Sequence, residues 1–296
     1  MRDFVIMTDS CCDLPKDYIY GNNIPFAMLP FSYNDKEYLD DLGQSLSQKQ
    51  FFDDLRTGAL PNTSQANSES FYNIFKSAAE RDEDIIYIGV SSGLSGTYNS
   101  ANIGKTAILE EFPNAIIHII DVLTASLGQG LMVRKAVEMK NDGHSADQIV
   151  FEIEKNIQNL NTYITVEDLN FLKRGGRISN VAATIGTVLH LKPILTINHE
   201  GRVIPVLKVR GRKKSITKLA EIVMEKIINP ETQTIAICHA DCYEEAVKLK
   251  EEIVGKVSVK EVLIHYIGPV VGRFSGPGAL AVFFIGESRQ HHVIDI

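Results

Sequence analysis

The chain has 296 residues, of which 44% are hydrophobic and 23% charged, and its formal net charge is −7. These are globular proportions with length for about two ordinary domains, and the acidic balance excludes the basic footprint of a general nucleic-acid binder. No apolar run reaches the ~20 residues of a membrane span, and no signal-peptide pattern opens the chain, so a cytoplasmic protein is expected.

Residues 4–7 read as a buried strand that ends in the polar turn Thr8-Asp9-Ser10. Residues 26–33 form a second extended stretch, where Pro25 and Pro30 predict an edge or irregular strand. Residues 47–55 and 68–80 are helical in pattern, each opened by a serine suited to capping. Between them lies a polar loop, Pro61-Asn62-Thr63-Ser64-Gln65. Residues 85–90 and 115–120 are further buried strands, and helices over 98–110, 124–140 and 145–160 alternate with them. This alternation predicts a parallel sheet between helices, a three-layer α/β/α domain over residues 1–162. The pattern then changes. Residues 194–197 and 202–209 flank His199-Glu200-Gly201 as a hairpin, followed by helices over 213–228 and 243–254 and strands over 234–238, 262–266 and 280–285. A mixed-sheet α/β domain over residues 163–296 is expected, so the fold class is α/β with two domains.

The densest chemical signal is Ser91-Ser92-Gly93-Leu94-Ser95-Gly96-Thr97, set between a strand and a helix. A helix N-terminus offers unpaired N–H groups and partial positive charge, and hydroxyls and glycines there let a small anion approach. The turn has neither the lysine of a P-loop nor GxGxxG spacing, which argues against a nucleotide. Further polar loops at strand ends, around Asp9, Thr63 and residues 121–130, can converge on one crevice at the carboxyl ends of a parallel sheet. Asp9 and Asp121 read as acids that satisfy loop amides, with no second carboxylate or histidine to complete a catalytic or metal site. Ser95 is only part of a nucleophile elbow, and no base accompanies it. A hydrolase or phosphoryl-transfer enzyme using Ser95 and Asp9 is therefore the rival of a binding protein. Cys11, Cys12, Cys238 and Cys242 lack zinc-site spacing and read as small core residues. Two basic clusters stand out on an acidic chain, 173–177 and 210–214. A glycine- and proline-rich segment over 268–279 implies close backbone approach to the other domain or to a ligand.

Taken in order, these motifs resemble the DegV family, the FakB-type bacterial fatty-acid-binding proteins. The resemblance runs from Thr8-Asp9-Ser10 and Asp13-Leu14-Pro15 through Thr63-Ser64-Gln65, the 91–97 turn and Ser126-Leu127-Gly128-Gln129-Gly130. It continues through Glu167-Asp168-Leu169, Leu172-Lys173-Arg174-Gly175-Gly176-Arg177-Ile178, Lys192-Pro193-Ile194-Leu195 and Gly276-Pro277-Gly278-Ala279. It implies one long-chain fatty acid of the palmitate, oleate or stearate type between the domains, no cofactor, no metal and no catalytic residue. The carboxylate is expected at Thr63, Ser95, Gly96 and Thr97, with Ser64, Ser126, Arg273, Phe274 and Ser275 as head-group neighbours. The resemblance further implies presentation of the carboxylate to a separate fatty acid kinase, which makes an acyl-phosphate for phospholipid synthesis. Arg174, Arg177, Arg210 and Arg212 are the candidates for docking that kinase or, transiently, a membrane surface. A monomer is expected.

One position departs from the family pattern. A histidine commonly stands two residues before Gly-Pro-Gly-Ala, where this chain has Phe274 within Arg273-Phe274-Ser275. A phenyl ring can neither donate nor accept the bond that the histidine would make to a carboxylate. Arg273 is a possible charged substitute if it points inward. The alternative is a carrier of another lipid or carboxylate that is not coupled to a kinase.

Overall fold

The computed structural model describes residues 2–33, 36–178 and 191–289. Its first half is organised by β1 (Phe4–Asp9), β6 (Asp84–Gly89) and β7 (Ile117–Asp121), which pair in parallel, with β2 (Phe26–Ala27) at the edge beside β1. All six residues of β6 are buried, as a parallel strand covered on both faces requires. Helices α3 (Ser68–Ala79) and α4 (Thr97–Glu111) pack together against this sheet, as do α5 (Leu127–Asn141) and α6 (Ala146–Asn156). The result is the three-layer α/β/α arrangement.

The 26–33 stretch divides between two sheets. Its second part is β3 (Pro30–Tyr33), the centre of a small antiparallel sheet between β4 (Lys36–Leu39) and β5 (Asn62–Thr63). The edge expectation thus holds for β2 and fails for β3, where proline is tolerated as the first residue. Likewise, the supposed loop at 61–65 contains β5. Helix α1 (Lys16–Gly21) follows a short turn, and α2 (Gln48–Arg56) is capped by Ser47 as expected. The cap of α3 is Asn67, whose side chain accepts the Ser70 N–H, and Ser68 already lies inside the helix. At α6, Ser145 and Gln148 form a reciprocal capping box.

The second half is a six-stranded mixed sheet in the order β10-β9-β8-β13-β11-β12. Its strands are β8 (Leu160–Thr165), β9 (Leu191–Ile197), β10 (Val203–Arg210), β11 (Thr234–His239), β12 (Glu261–Tyr266) and β13 (Leu280–Ile285). Only β11 and β12 pair in parallel. The 162/163 boundary falls inside β8, all of which pairs in this sheet; we propose a division before Leu160 that keeps the strand whole.

Alternation along the strands separates the two faces. Ile235, Ile237, Leu280, Val282 and Phe284 point to the side covered by α8 (Arg212–Lys226) and α9 (Tyr243–Val254), where they form one core with Leu219, Val223 and Leu249. Ala236, Cys238, Ala281 and Phe283 point to the other side and join the core of the first half. Helix α5 packs against both sheets. A Cβ on Gly128 would approach Phe283 Cδ1 to 2.8 Å, so glycine lets α5 lie close to β13. The remaining helices are the short α7 (Asn170–Arg174) and α10 (Pro269–Ser275). The latter occupies the glycine- and proline-rich segment, with Pro269 at its first position and Gly276 just past its end.

Candidate functional site

A cavity of ≈ 320 Å³ lies between the two sheets. Most of its wall is apolar, supplied by Leu29, Val90, Ile164, Val166, Leu172, Ile197, Val203, Val270, Val271, Ala281 and Phe283. Its polar lining comes from β5 and the turn after it (Thr63, Ser64, Gln65), from the turn before α4 (Ser95, Gly96), and from Ser126, Thr162, Arg177 and Ser275. Of the strand-end loops expected from sequence to converge, those at 63–65, 91–97 and 121–130 do so, whereas none of Thr8, Asp9 and Ser10 lines the cavity.

The turn before α4 is built from within. Ser91 is buried, and its carbonyl accepts the Leu94 and Ser95 N–H groups, both at 3.0 Å. Gly96 stands at the cap of α4 without a side chain to satisfy it. Among the described residues the Gly96 N–H has no hydrogen-bond partner. Ser95 Oγ accepts the Thr97 N–H at 3.2 Å and lies 2.9 Å from Thr97 Oγ1. Thr97 Oγ1 in turn accepts the Ala66 N–H at 3.3 Å. Thr97 is fully buried and stands behind Ser95, outside the cavity wall. Its contribution is to position the Ser95 hydroxyl and tie the 91–97 turn to the 63–66 segment. Gln65 completes that tie by donating Nε2 to Ser100 Oγ at 2.9 Å.

The other predicted neighbours divide. Ser275 Oγ is buried with no partner among the described residues and lines the cavity. Ser126 also lines it, but its hydroxyl donates to Asp13 Oδ2, which removes that proton from the site. Ser126 reaches this position through a left-handed backbone, φ 57°. Phe274 lines the cavity and lies under two guanidiniums, Arg177 at 4.5 Å and Arg273 at 4.8 Å from its ring centre. Arg273 is turned toward the chain, with Nε donating to the Pro61 carbonyl at 3.0 Å, and is not part of the cavity wall. The inward guanidinium is that of Arg177.

The basic candidates also part company. Arg212 is only 15% exposed and is closed on Glu245, with Nη2 donating to the Gly278 carbonyl at 2.6 Å. It ties the start of α8 to α9 and to the turn before β13, and contributes nothing to a free basic surface. Arg210 and Arg174 are exposed, the latter 4.8 Å from the Phe171 ring centre.

Among the described residues, Ser95 has no hydrogen bond to an imidazole or carboxylate, so nothing there activates it as a nucleophile. Asp9 is fully buried and saturated: it accepts from Tyr87 Oη at 2.6 Å and from the N–H groups of Val90 and Cys11 at 3.0 Å each. Burial nevertheless pushes its pKa up. Asp121 accepts the N–H groups of Ser92 and Leu123. Among the described residues no group of three or more His, Cys, Asp or Glu is placed to hold a metal, and no helix is long and apolar enough to cross a membrane. Cys11 and Cys238 are buried, as expected, and line the cavity as well, which their sequence context did not signal.

The family model described as "Uncharacterised protein, DegV family" matches residues 3–287. A DegV domain-containing protein of Clostridium perfringens is 44% identical over 290 residues, covering 98% of this chain and all of that protein. A solved DegV family protein from Thermus thermophilus, described by its fatty acid binding, superposes with a TM-score of 0.87 at 29% identity, covering 97% of this chain and 100% of that one. A DegV family protein from Ruminococcus gnavus, solved with vaccenic acid, gives a TM-score of 0.86 at 25% identity over 95% of this chain and 99% of that one. Matched from end to end in sequence and in fold, this chain belongs to the DegV family.

Proposed function

We propose that this protein binds one long-chain fatty acid, with its tail in the cavity between the two sheets and its carboxylate at the N-terminus of α4. The observation that carries the reading is an apolar cavity whose polar lining includes Thr63, Ser95 and Gly96. The fatty acids held by the Thermus and Ruminococcus relatives support it.

The energetics divide cleanly between tail and head. A palmitate-length tail gains roughly 11 kcal/mol gross at about 0.8 kcal/mol per buried methylene, before ordering costs. The head group need only avoid stranding a buried charge. When the Thr97 hydroxyl donates to Ser95, Ser95 keeps its own proton for the ligand. Thr63 Oγ1, the free N–H of Gly96 and the unpartnered Ser275 Oγ are further donors, and the dipole of the 15-residue α4 favours an anion at its head.

The protein acts as a carrier that presents this carboxylate to a fatty acid kinase, without catalysis of its own. Arg174 and Arg210 are the exposed members of the basic clusters that would meet the kinase or an anionic membrane surface. Native mass spectrometry tests the binding. A co-purifying mass of fatty-acid size, lost on denaturation, is expected. A clean apo mass with no uptake of added oleate or palmitate refutes it.

A further inference from the structure

We infer that Arg289 is a positioning residue for the head-group site: from behind the cavity wall it fixes the two turns against which the 91–97 turn is set. The inference rests on the fatty-acid reading and adds what holds the Ser95 hydroxyl and the Gly96 N–H in place.

Arg289 is 2% exposed and does not line the cavity. Burial lowers its pKa to about 10, against the pull of Asp121, so the buried group is still a cation at neutral pH. Among the described residues its hydrogen bonds all go to main-chain carbonyls. Nη1 donates to Leu123 at 2.9 Å and to Ile197 and Asn198 at 3.4 Å each, and Nη2 donates to Ile157, just past α6, at 2.7 Å. A buried cation is costly unless it is bonded, and charge-assisted bonds are the strong ones. The pull of this guanidinium therefore falls on the segments that carry those carbonyls.

Two of those segments are turns. Leu123, left-handed at φ 51°, lies in the turn after β7, and Asn198 opens the turn between β9 and β10, where its Oδ1 accepts the Glu200 and Arg202 N–H groups. Both turns meet the 91–97 turn. The Thr124 carbonyl accepts the Ser91 N–H at 2.8 Å, and the Gly201 carbonyl accepts the Ser91 hydroxyl at 2.9 Å. The fit has no slack. A Cβ on Gly201 would stand 2.1 Å from Ser91 Oγ and 3.1 Å from Leu123 Cα, and one on Gly93 would stand 2.8 Å from the Glu200 carbonyl oxygen. Ser91 passes the constraint on, since its carbonyl accepts the Leu94 and Ser95 N–H groups. Hydrogen bonds weaken steeply as they bend and lengthen, so a shift of either turn is felt at Ser95 and Gly96, where the carboxylate binds.

The test is a double-mutant cycle on the full-length protein, with palmitate affinity read by displacement of a fluorescent fatty acid. Arg289→Gln should weaken binding about tenfold, the scale of one charge-assisted hydrogen bond. In the Ser95→Ala background, where the Ser95 bond is already lost, the same substitution should cost no more than about threefold, because groups acting in one network are not additive. Arg289→Lys keeps the charge but lacks the planar fork; it should fall between the wild type and Arg289→Gln, and it takes the place of Arg289→Gln in the cycle if that variant does not fold. Ile253→Val lies in the core on the opposite face of the second sheet, and it should lower the melting temperature while leaving affinity unchanged. An equal loss from Arg289→Gln in both backgrounds overturns the inference, as does no loss in either, and as does a loss in Ile253→Val that matches that of Arg289→Gln; all three leave fatty-acid binding standing. Wild-type protein that takes up no palmitate overturns the fatty-acid reading itself, and the inference with it.

Discussion

Replacing Asp13 with asparagine is expected to stabilise the protein at neutral pH. Asp13 is 4% exposed at the seam between the two halves. Its Oδ1 accepts the Gly268 N–H at 2.9 Å, and its Oδ2 accepts the Ser126 hydroxyl. Asp40, also buried, lies on the same side of Gly268: a Cβ there would meet Asp13 Oδ1 at 2.6 Å and Asp40 Oδ2 at 3.3 Å. No cation pairs with either carboxyl among the described residues. Burial raises the Asp13 pKa from 3.8 to about 7 against the pull of its two hydrogen bonds, and the Asp9 charge adds to the rise. Between about pH 4 and pH 7 the folded protein therefore holds a proton that the unfolded chain has released, and stability falls as pH rises. The loss is complete above about pH 7, and at about 1.4 kcal/mol per unit it amounts to at most about 4 kcal/mol. His239 works in the opposite sense. Burial lowers its pKa to about 4, so between about pH 4 and 6.5 the unfolded histidine holds a proton that the folded one lacks, and stability rises. The two slopes oppose each other in the wild type, but His239 is common to both proteins and cancels, so the difference between them reports Asp13 together with its charge coupling to Asp40 and Asp9. Asparagine fits the same space, its carbonyl accepting from Gly268 and its amide donating to Ser126 Oγ. Denaturant unfolding of both proteins from about pH 4.5 to about pH 8 provides the measurement. The variant should match the wild type at the acid end and gain stability through neutrality, levelling off above about pH 7. A difference that does not change with pH refutes the argument.

Thr63→Ala and Ser95→Ala should each weaken fatty-acid binding by ~1–3 kcal/mol, read by displacement of a fluorescent fatty acid; unchanged affinity in both sinks the head-group assignment. Phe274→His exchanges the ring beneath Arg177 and Arg273 for the histidine expected from the family resemblance; on the proposed carrier function, a rise in kinase-dependent acyl-phosphate formation would show that Phe274 makes this protein the poorer presenter. Gly276→Ala should cost ~1–3 kcal/mol of stability, because φ is 72° there and a Cβ would meet Phe171 Cδ2 at 2.4 Å; an unchanged melting temperature contradicts this.

What is legible in the sequence follows from how local each cause is. Strands such as β6 are apolar on both faces because helices cover both, so their runs are visible without knowing the partners. The turn before α4 is legible for the same reason: its hydroxyls and glycines act within seven residues, through bonds such as Ser95 to Thr97. Helix α10 is short and built from residues that usually signal turns, and Pro269 and Gly276 become start and stop signals only once the helix between them is known. The fates of the charged groups are the least local of all. Arg212 sits in a basic run that looks exposed, and the glutamate that neutralises it lies 33 residues further on. The shift at Asp13 depends on Gly268, 255 residues away, and on burial at a seam that no single segment encodes. Arg177 shows the consequence for function. In sequence it is one of several basic residues suited to docking; in the fold its bond to the Leu94 carbonyl turns it inward, beside Ser95 and over the Phe274 ring.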